Sequence, residues 1–156
     1  MSENKLAFVS FQPSDERFTA FLPIEELISS QMDLAEVLNE ASLIYGHSVT
    51  KMRSLVTEIE SLRLNHKLVP ARKIWQLGDA IFELKDNLEK LSLQIDGLYN
   101  HLVRDLHVKR KWLEKVVIFR RYLPNQEVIP ELLNWGRCEK GTRRIAENIQ
   151  KGLYPV

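Results

Sequence analysis

Residues 74–102 of the chain read IWQLGDAIFELKDNLEKLSLQIDGLYNHL. Apolar side chains recur there at alternating steps of three and four residues, at Ile74, Leu77, Ile81, Leu84, Leu88, Leu91, Ile95, Leu98 and Leu102. This heptad spacing places them on one stripe of an α-helix and is typical of helices that pack along a seam. Gly78 and Gly97 each cost about 1 kcal/mol inside a helix. The helix could therefore break near either glycine, or near Asp86-Asn87.

The stretch before Pro70 predicts a second long helix. Asp33 followed by Glu36 resembles a capping box, and apolar residues continue at helical steps from Val37 to Leu62. A short polar connection around His66 then favours two antiparallel helices. The seam could close within one chain or between two copies, so a homodimer is possible. Its residues would be Ile74, Leu77, Ile81, Leu84, Leu88, Leu91 and Ile95.

The two ends of the chain differ in apolar pattern and in charge. Residues 1–22 are apolar in places without a stable period, which indicates a short extended arm or a capping segment. Residues 1–100 hold 10 Lys/Arg and 15 Asp/Glu, whereas residues 101–156 hold 12 and 6. An excess of positive charge at one end suits a polyanionic partner, and it equally suits a solvated basic face.

The basic end predicts two short helices joined by a tight connection. One helix ends near Leu106, the connection lies at His107-Val108, and the next helix runs from about Lys109 to Tyr122 before Pro124. This is the skeleton of a helix-turn-helix. On the second helix an apolar stripe is formed by Trp112, Leu113, Val116, Phe119 and Leu123. The strand-forming run from Val116 to Phe119 leaves a buried strand open as an alternative.

Basic side chains on the opposite side of that second helix are the candidate nucleic-acid ligands. Lys and Arg presented together on one surface contact phosphates. The candidates are Lys109, Arg110, Lys111, Lys115 and Arg121, supported by Arg143 and Arg144 from the later segment 139–150. They could instead be ordinary solvated positions, partly paired with Glu114, Glu139 and Glu147 at helical spacing.

The run Ile74-Trp75-Gln76-Leu77-Gly78-Asp79-Ala80-Ile81 resembles the signature of the helical N-terminal domain of YhcG-type proteins, a family grouped with PD-(D/E)XK nucleases. The apolar positions from Leu102 to Leu123-Pro124 and the run Leu133-Asn134-Trp135 fit the same pattern, so the resemblance covers about residues 70–145. It implies a winged-helix-like DNA-binding module associated with restriction or mobile elements. The chain has no room for the nuclease sheet, so the resemblance implies DNA binding without cleavage.

Other chemistry has little support in the sequence. Glu83-Leu84-Lys85 matches a nuclease E-x-K fragment but lies within the heptad helix. The four histidines form no metal pair at helical spacing, and the lone Cys138 lacks a nucleophile signature. The six glycines are isolated, so no phosphate-binding loop is predicted. We therefore expect no enzyme activity, cofactor, metal site or small-molecule substrate.

These observations together predict an all-α protein in three parts: an arm at 1–22, a long helical hairpin at 23–97, and a basic helix-turn-helix-like unit at 98–156. The expected function is non-catalytic binding of double-stranded DNA, as a regulator or accessory subunit. The alternative is a helical scaffold or adaptor that binds a protein through the seam or the basic face. The sequence shows neither a signal-peptide core nor a membrane span, so a cytoplasmic location is expected.

Overall fold

A computed structural model describes residues 5–25 and 33–153. The parts of the three predicted units at 1–4, 26–32 and 154–156 lie outside the described residues. In chain order the elements are β1 (Leu6–Phe11), β2 (Phe18–Pro23), α1 (Leu34–Leu64), α2 (Ala71–Glu89), β3 (Gln94–Ile95), α3 (Leu98–Leu106), α4 (Arg110–Tyr122) and α5 (Thr142–Gln150). Short 3₁₀ turns at Gln126–Val128 and Trp135–Arg137 lie between α4 and α5.

Helix α1 begins where the capping box predicted. The Asp33 side chain accepts a hydrogen bond of 2.8 Å from the backbone N–H of Glu36, which satisfies a donor that the first turn cannot pair internally. The buried residues of α1 follow at steps of three and four: Val37, Ala41, Tyr45, Val49, Met52, Val56 and Ile59. This stripe packs along α2.

Helices α1 and α2 are antiparallel, as their ion pairs show. Lys51 near the middle of α1 pairs with Glu83 late in α2, whereas Glu58 farther along α1 pairs with Lys73 early in α2. Most of the predicted seam is buried inside the one chain: Ile74, Leu77, Ile81 and Leu84 at 0% exposure, Leu88 at 2% and Ile95 at 6%, with Leu91 packed beside them. The seam therefore closes within the chain and presents little surface to a second copy.

The heptad pattern continues beyond the helix that it predicts. Helix α2 ends at Glu89, and the chain then turns through positive φ angles at Ser92 (55°) and Gly97 (64°) before α3 begins. Leu91 and Ile95 keep their heptad positions in the sequence but lie in a turn and in β3. Leu91 still packs against the core and Ile95 is buried in it, because the turn directs both side chains inward. A break near Gly97 was one of the possibilities left open by the sequence.

The prediction of an all-α fold is wrong, because the predicted N-terminal arm forms a β-hairpin. Strands β1 and β2 pair antiparallel from Leu6↔Pro23 to Phe11↔Phe18, and β3 adds to β2 in a three-stranded sheet of order β1-β2-β3. The β2 residues alternate between buried and half-buried positions, which is the period of two of a strand with one covered face. The protein therefore combines helices with a small antiparallel sheet.

Phe18 joins the sheet to the helices. Its ring meets the Tyr45 ring of α1 edge-on, with centroids 4.8 Å apart, and stacks on the His101 imidazole of α3 at 3.6 Å. The Tyr45 hydroxyl donates a 2.5 Å hydrogen bond to the buried Asp105 carboxylate on α3. Arg53 of α1 donates to the backbone carbonyl of Asp105 at 2.9 Å. These contacts fix α3, and therefore the start of α4, against the body of the fold.

The segment after α4 returns to the start of α2. The backbone N–H of Trp135 donates to the Val69 carbonyl at 2.7 Å, and the backbone N–H of Ala71 donates to the Leu133 carbonyl at 2.9 Å. The Trp135 side chain is 1% exposed and meets the Phe119 ring edge-on at 5.3 Å. Trp135 thus anchors the C-terminal segment.

Candidate nucleic-acid interface

Helix α4 supports the candidate interface by burying one side. Leu113, Val116, Val117 and Phe119 are 0–4% exposed, and the helix ends at Tyr122, before Pro124. The run from Val116 to Phe119 lies within this helix, so the buried strand considered for it is excluded. Trp112, which was predicted to extend the stripe, is half-buried against the core. A helix held along one side by packing presents its other side in a fixed orientation.

Gly78 lets α2 approach α4 closely. A Cβ atom at Gly78 would lie 2.6 Å from the Cβ of Arg120 and 3.0 Å from the carbonyl oxygen of Val116. Both distances are shorter than ordinary van der Waals contact, so a side chain here would push the helices apart. The neighbouring Trp75 donates its indole N–H to the Leu123 carbonyl at 2.7 Å, which ties the end of α4 to α2.

Arg120 belongs to this packed junction. Its guanidinium Nε donates to Asp79 Oδ1 at 3.0 Å and lies over the rings of Trp75 and Phe82, 5.1 and 4.7 Å from their centroids. The side chain is 18% exposed. Arg120 is therefore a structural residue, although its charge and position in the sequence match those of the candidate ligands beside it.

The predicted basic residues lie on the outside of α4 in two stripes. At 3.6 residues per turn, Arg110 and Arg121 point in nearly the same direction, and Lys111 and Lys115 point about 100° away from them. Lys109 is the N-cap residue, and all but the half-buried Lys115 are exposed. Glu114 lies in the stripe of Arg110 and accepts from its Nε at 3.4 Å.

Helix α5 brings one further arginine to the end of α4. The Arg143 guanidinium lies over the Tyr122 ring, 5.1 Å from its centroid, and donates to Glu147 at 3.1 Å. That hydrogen bond raises the pKa of Arg143 above its ordinary value. Arg144 is exposed on the same helix. The structure thus brings Arg143 to the end of α4 and leaves Arg144 on the outside of α5.

Most of the candidate cations are unpaired within residues 5–25 and 33–153. Only Arg110 and Arg143 have acidic partners there, Glu114 and Glu147. No ion pair or hydrogen bond from the side chain is found in these ranges for Lys109, Lys111, Lys115, Arg121 and Arg144. Glu139 was expected to pair with one of these cations, but it pairs with Arg63 of α1. We call Lys109, Arg110, Lys111, Lys115 and Arg121 the outer basic face.

The connection between α3 and α4 has the length that the sequence predicted. Helix α3 ends at Leu106, His107 adopts a left-handed conformation (φ 54°), and α4 begins at Arg110. The N–H groups of His107 and Val108 bond back to carbonyls in the last turn of α3, so this corner is tightly closed. A short corner of this kind gives the two helices the connectivity of a helix-turn-helix.

The residues that the sequence analysis considered for catalysis have contacts that stabilise the fold. Glu83 pairs with Lys51, whereas Lys85 donates to the Tyr99 hydroxyl at 2.8 Å, so the E-x-K fragment points in two directions. Cys138 is buried, and burial raises the pKa of its thiol to about 12. Across the described part of the chain, no group of three or more His, Cys, Asp or Glu side chains is arranged to hold a metal ion.

Two features of the molecule escaped sequence reasoning. One is the Tyr45–Asp105 hydrogen bond, whose partners lie 60 residues apart. The other is a groove along α3, where Tyr99 lines two adjoining depressions. Neither leaves a local pattern, because each is made by residues that only the fold brings together.

No family model, curated protein or solved structure matches the chain. The resemblance to YhcG-type proteins therefore stays a prediction from the sequence. Among the described residues, none of the helices has the combined length and apolar character needed to cross a membrane.

Proposed function

We propose that this protein is a non-catalytic DNA-binding protein, a regulator or accessory subunit, that contacts the phosphate backbone of double-stranded DNA through the outer basic face of α4. One observation carries this proposal: Lys109, Lys111, Lys115 and Arg121 project from a helix fixed on its other side, without acidic partners in the described ranges. Unpaired cations release the counterions of DNA most effectively, since no internal ion pair must first be broken.

Two features of the surface around α4 support binding to a duplex. Helix α4 follows a three-residue corner, as the recognition helix of a helix-turn-helix does, and Arg143 extends the positive charge past Tyr122. Glu114 is the acidic residue within the exposed arc of α4, and it is already paired with Arg110. The association with restriction or mobile-element systems belongs to the proposal through the sequence resemblance alone.

The test is a titration of fluorescently labelled duplex DNA at about 50 and 200 mM salt, followed by fluorescence anisotropy. We expect the logarithm of the affinity to fall steeply with the logarithm of the salt concentration, and Lys111→Glu to weaken binding and reduce that slope by about 1 or more. The matched control is Lys90→Glu, the same change at an exposed C-cap position of α2. Equal effects of the two substitutions, or a flat salt dependence, would contradict the proposal.

A protein partner is the second candidate function, and a different surface favours it. The outer face of the hairpin exposes the apolar side chains of Leu6 (49%) and Phe8 (73%). Apolar side chains exposed together on one face are typical of protein-interaction sites. Capture from a native lysate with and without nuclease separates the two functions. Material that stays bound after nuclease treatment and is lost in Phe8→Ser favours an adaptor, whereas loss of all material with nuclease favours the nucleic-acid function.

A further inference from the structure

Two depressions on the surface join into one groove. The first, of about 290 Å³, lies between α3 and α4 and is lined by Val103, Val117 and Arg121 among others. The second, of about 750 Å³, lies between the end of α2, the start of α3 and the outer face of the hairpin. Tyr99 and Arg110 line both, so the depressions adjoin at these two side chains. We call this path, from Arg121 through Arg110 and Tyr99 to Lys85 and Phe21, the α3–α4 groove.

Cations are spaced along the α3–α4 groove. Arg110 and Arg121 lie about 16 Å apart along the axis of α4, and Lys85 reaches the groove from α2. The acidic residues that line it are Glu89 and Glu114, and Glu114 is held by Arg110. An elongated ligand with several negative charges would meet successive positive groups along this path.

Aromatic rings accompany these cations. Lys85 Nζ lies 4.4 Å from the centroid of the Tyr99 ring. On the hairpin side, Phe21 lines the groove. The Phe8 ring lies beside the groove and meets the Phe21 ring edge-on, with centroids 5.0 Å apart. Phe8 is 73% exposed, which leaves much of its ring open to a ligand. Cations along a path with open aromatic rings are the elements by which proteins hold unpaired nucleotides, because each base can stack on a ring.

We propose that the α3–α4 groove binds single-stranded nucleic acid, with bases stacked on Phe8 and its neighbours and phosphates paired with Arg110, Arg121 and Lys85. This inference rests on the proposed function, since it adds a single-strand path that shares Arg110 and Arg121 with the duplex-binding face. A duplex has no free base faces to offer to Phe8, whereas a single strand does. The protein would therefore suit DNA in which a duplex opens into a single strand.

The experiment compares two labelled probes by fluorescence anisotropy: oligothymidylate of about 12 nucleotides and a duplex of the same length. Phe8→Ala removes one exposed ring, and we expect it to weaken oligothymidylate binding roughly 5- to 150-fold while duplex affinity is unchanged. Circular dichroism melting of the full chain checks that the variant remains folded.

A second variant tests the same groove in the opposite direction. Glu114→Gln removes a carboxylate from the groove and breaks the ion pair of Arg110, which keeps its hydrogen bond to Asn100, so oligothymidylate should bind more tightly. The matched control is Glu83→Gln, which also frees a cation from an exposed ion pair but lies on the side of α2 that faces Lys51. It should leave oligothymidylate binding unchanged.

The outcomes separate the two proposals. Duplex binding with no oligothymidylate binding, or with no effect of Phe8→Ala, overturns the groove and leaves the proposed function standing. Oligothymidylate binding that depends on Phe8, without duplex binding, supports the groove and overturns the duplex proposal. Polyglutamate that competes as strongly as oligothymidylate also overturns the groove, because a charged peptide has no bases to stack.

Discussion

Arg120 and Arg121 are neighbours on α4, yet they belong to two different regions of the molecule. Arg120 lies on the packed side, bonded to Asp79 and covered by the rings of Trp75 and Phe82. Arg121 lies on the outer basic face and has no acidic partner in the described residues. Two identical side chains therefore have different surroundings, because successive side chains on an α-helix point about 100° apart.

The comparison extends to the polar groups at the junction of α1, α3 and the hairpin. Tyr45 and Asp105 are buried and bonded to each other, and the partly exposed Arg120 and Asp79 are bonded at the α2–α4 junction. Burying a polar group is costly unless it is paired, so these contacts should matter for stability. The cations of the outer basic face remain solvated, so they should matter for binding and little for stability.

The largest effect is expected at the α2–α4 junction. Gly78→Val should lower the free energy of unfolding by about 3 kcal/mol, because its Cβ would overlap Arg120 and crowd the Val116 carbonyl. The measurement is urea unfolding. The control is Gly46→Ala in α1, where nothing lies within 4 Å, and it should raise stability by up to about 1 kcal/mol. A stable Gly78→Val protein would contradict the close approach of these helices.

The next effect concerns the Tyr45–Asp105 pair. Tyr45→Phe should cost about 2 kcal/mol, because it leaves a buried carboxylate without its donor. Burial and the hydrogen-bonded Asp105 carboxylate raise the pKa of Tyr45, so the hydroxyl stays protonated, and therefore a donor, at neutral pH. Tyr99→Phe, which removes an exposed hydroxyl contact to Lys85, is the control and should change stability by less than about 0.5 kcal/mol. Similar losses of stability in both variants would show that the hydrogen bond between Tyr45 and Asp105 does not stabilise the fold.

The two arginines provide the direct test of the opening comparison. Arg120→Ala should lower the free energy of unfolding by about 1–2 kcal/mol, since it removes a half-shielded ion pair and the methylene packing against two rings. Arg121→Ala should change it by less than about 0.5 kcal/mol and instead weaken DNA binding. Urea unfolding and DNA titration of both variants test this. A stability loss in Arg121→Ala together with a DNA-binding loss confined to Arg120→Ala would contradict the distinction between the two faces.

The smallest effect is a pH dependence centred on His101. Burial lowers the pKa of His101, more than the nearby Asp105 and Asp96 raise it, and the neighbouring Arg104 donates to its Nδ1 at 3.0 Å. A lowered pKa in the folded state means that protonation favours unfolding. Stability should be complete above the unfolded value of about 6.5 and decline as the pH falls below it. His101→Gln should flatten this decline in urea unfolding, whereas His66→Gln, in the exposed α1–α2 turn, should preserve it.

The sequence predicted the helical parts of the candidate site well. The Asp33 cap, the end of α3 at Leu106 and the buried side of α4 all depend on neighbours within one or two helical turns. It missed the hairpin, because β1 buries only Phe11 fully and its exposed Leu6 and Phe8 obscure the period of two. It also extended the heptad helix past Glu89, because Leu91 and Ile95 keep heptad spacing although they lie in a turn and in β3.

What the sequence alone determined is the set of amphipathic helices, since the spacing of apolar side chains and the capping residues act through contacts close along the chain. Only the tertiary structure decided that the heptad seam closes inside one chain, that Arg120 is structural while Arg121 is free, and that Tyr99, Arg110 and Phe21 share a groove. These outcomes depend on contacts between residues on different elements, such as Arg120 and Asp79, which lie 41 positions apart, or on how a helix is rotated against its neighbours. Local periodicity carries no information about which distant partner a side chain will meet.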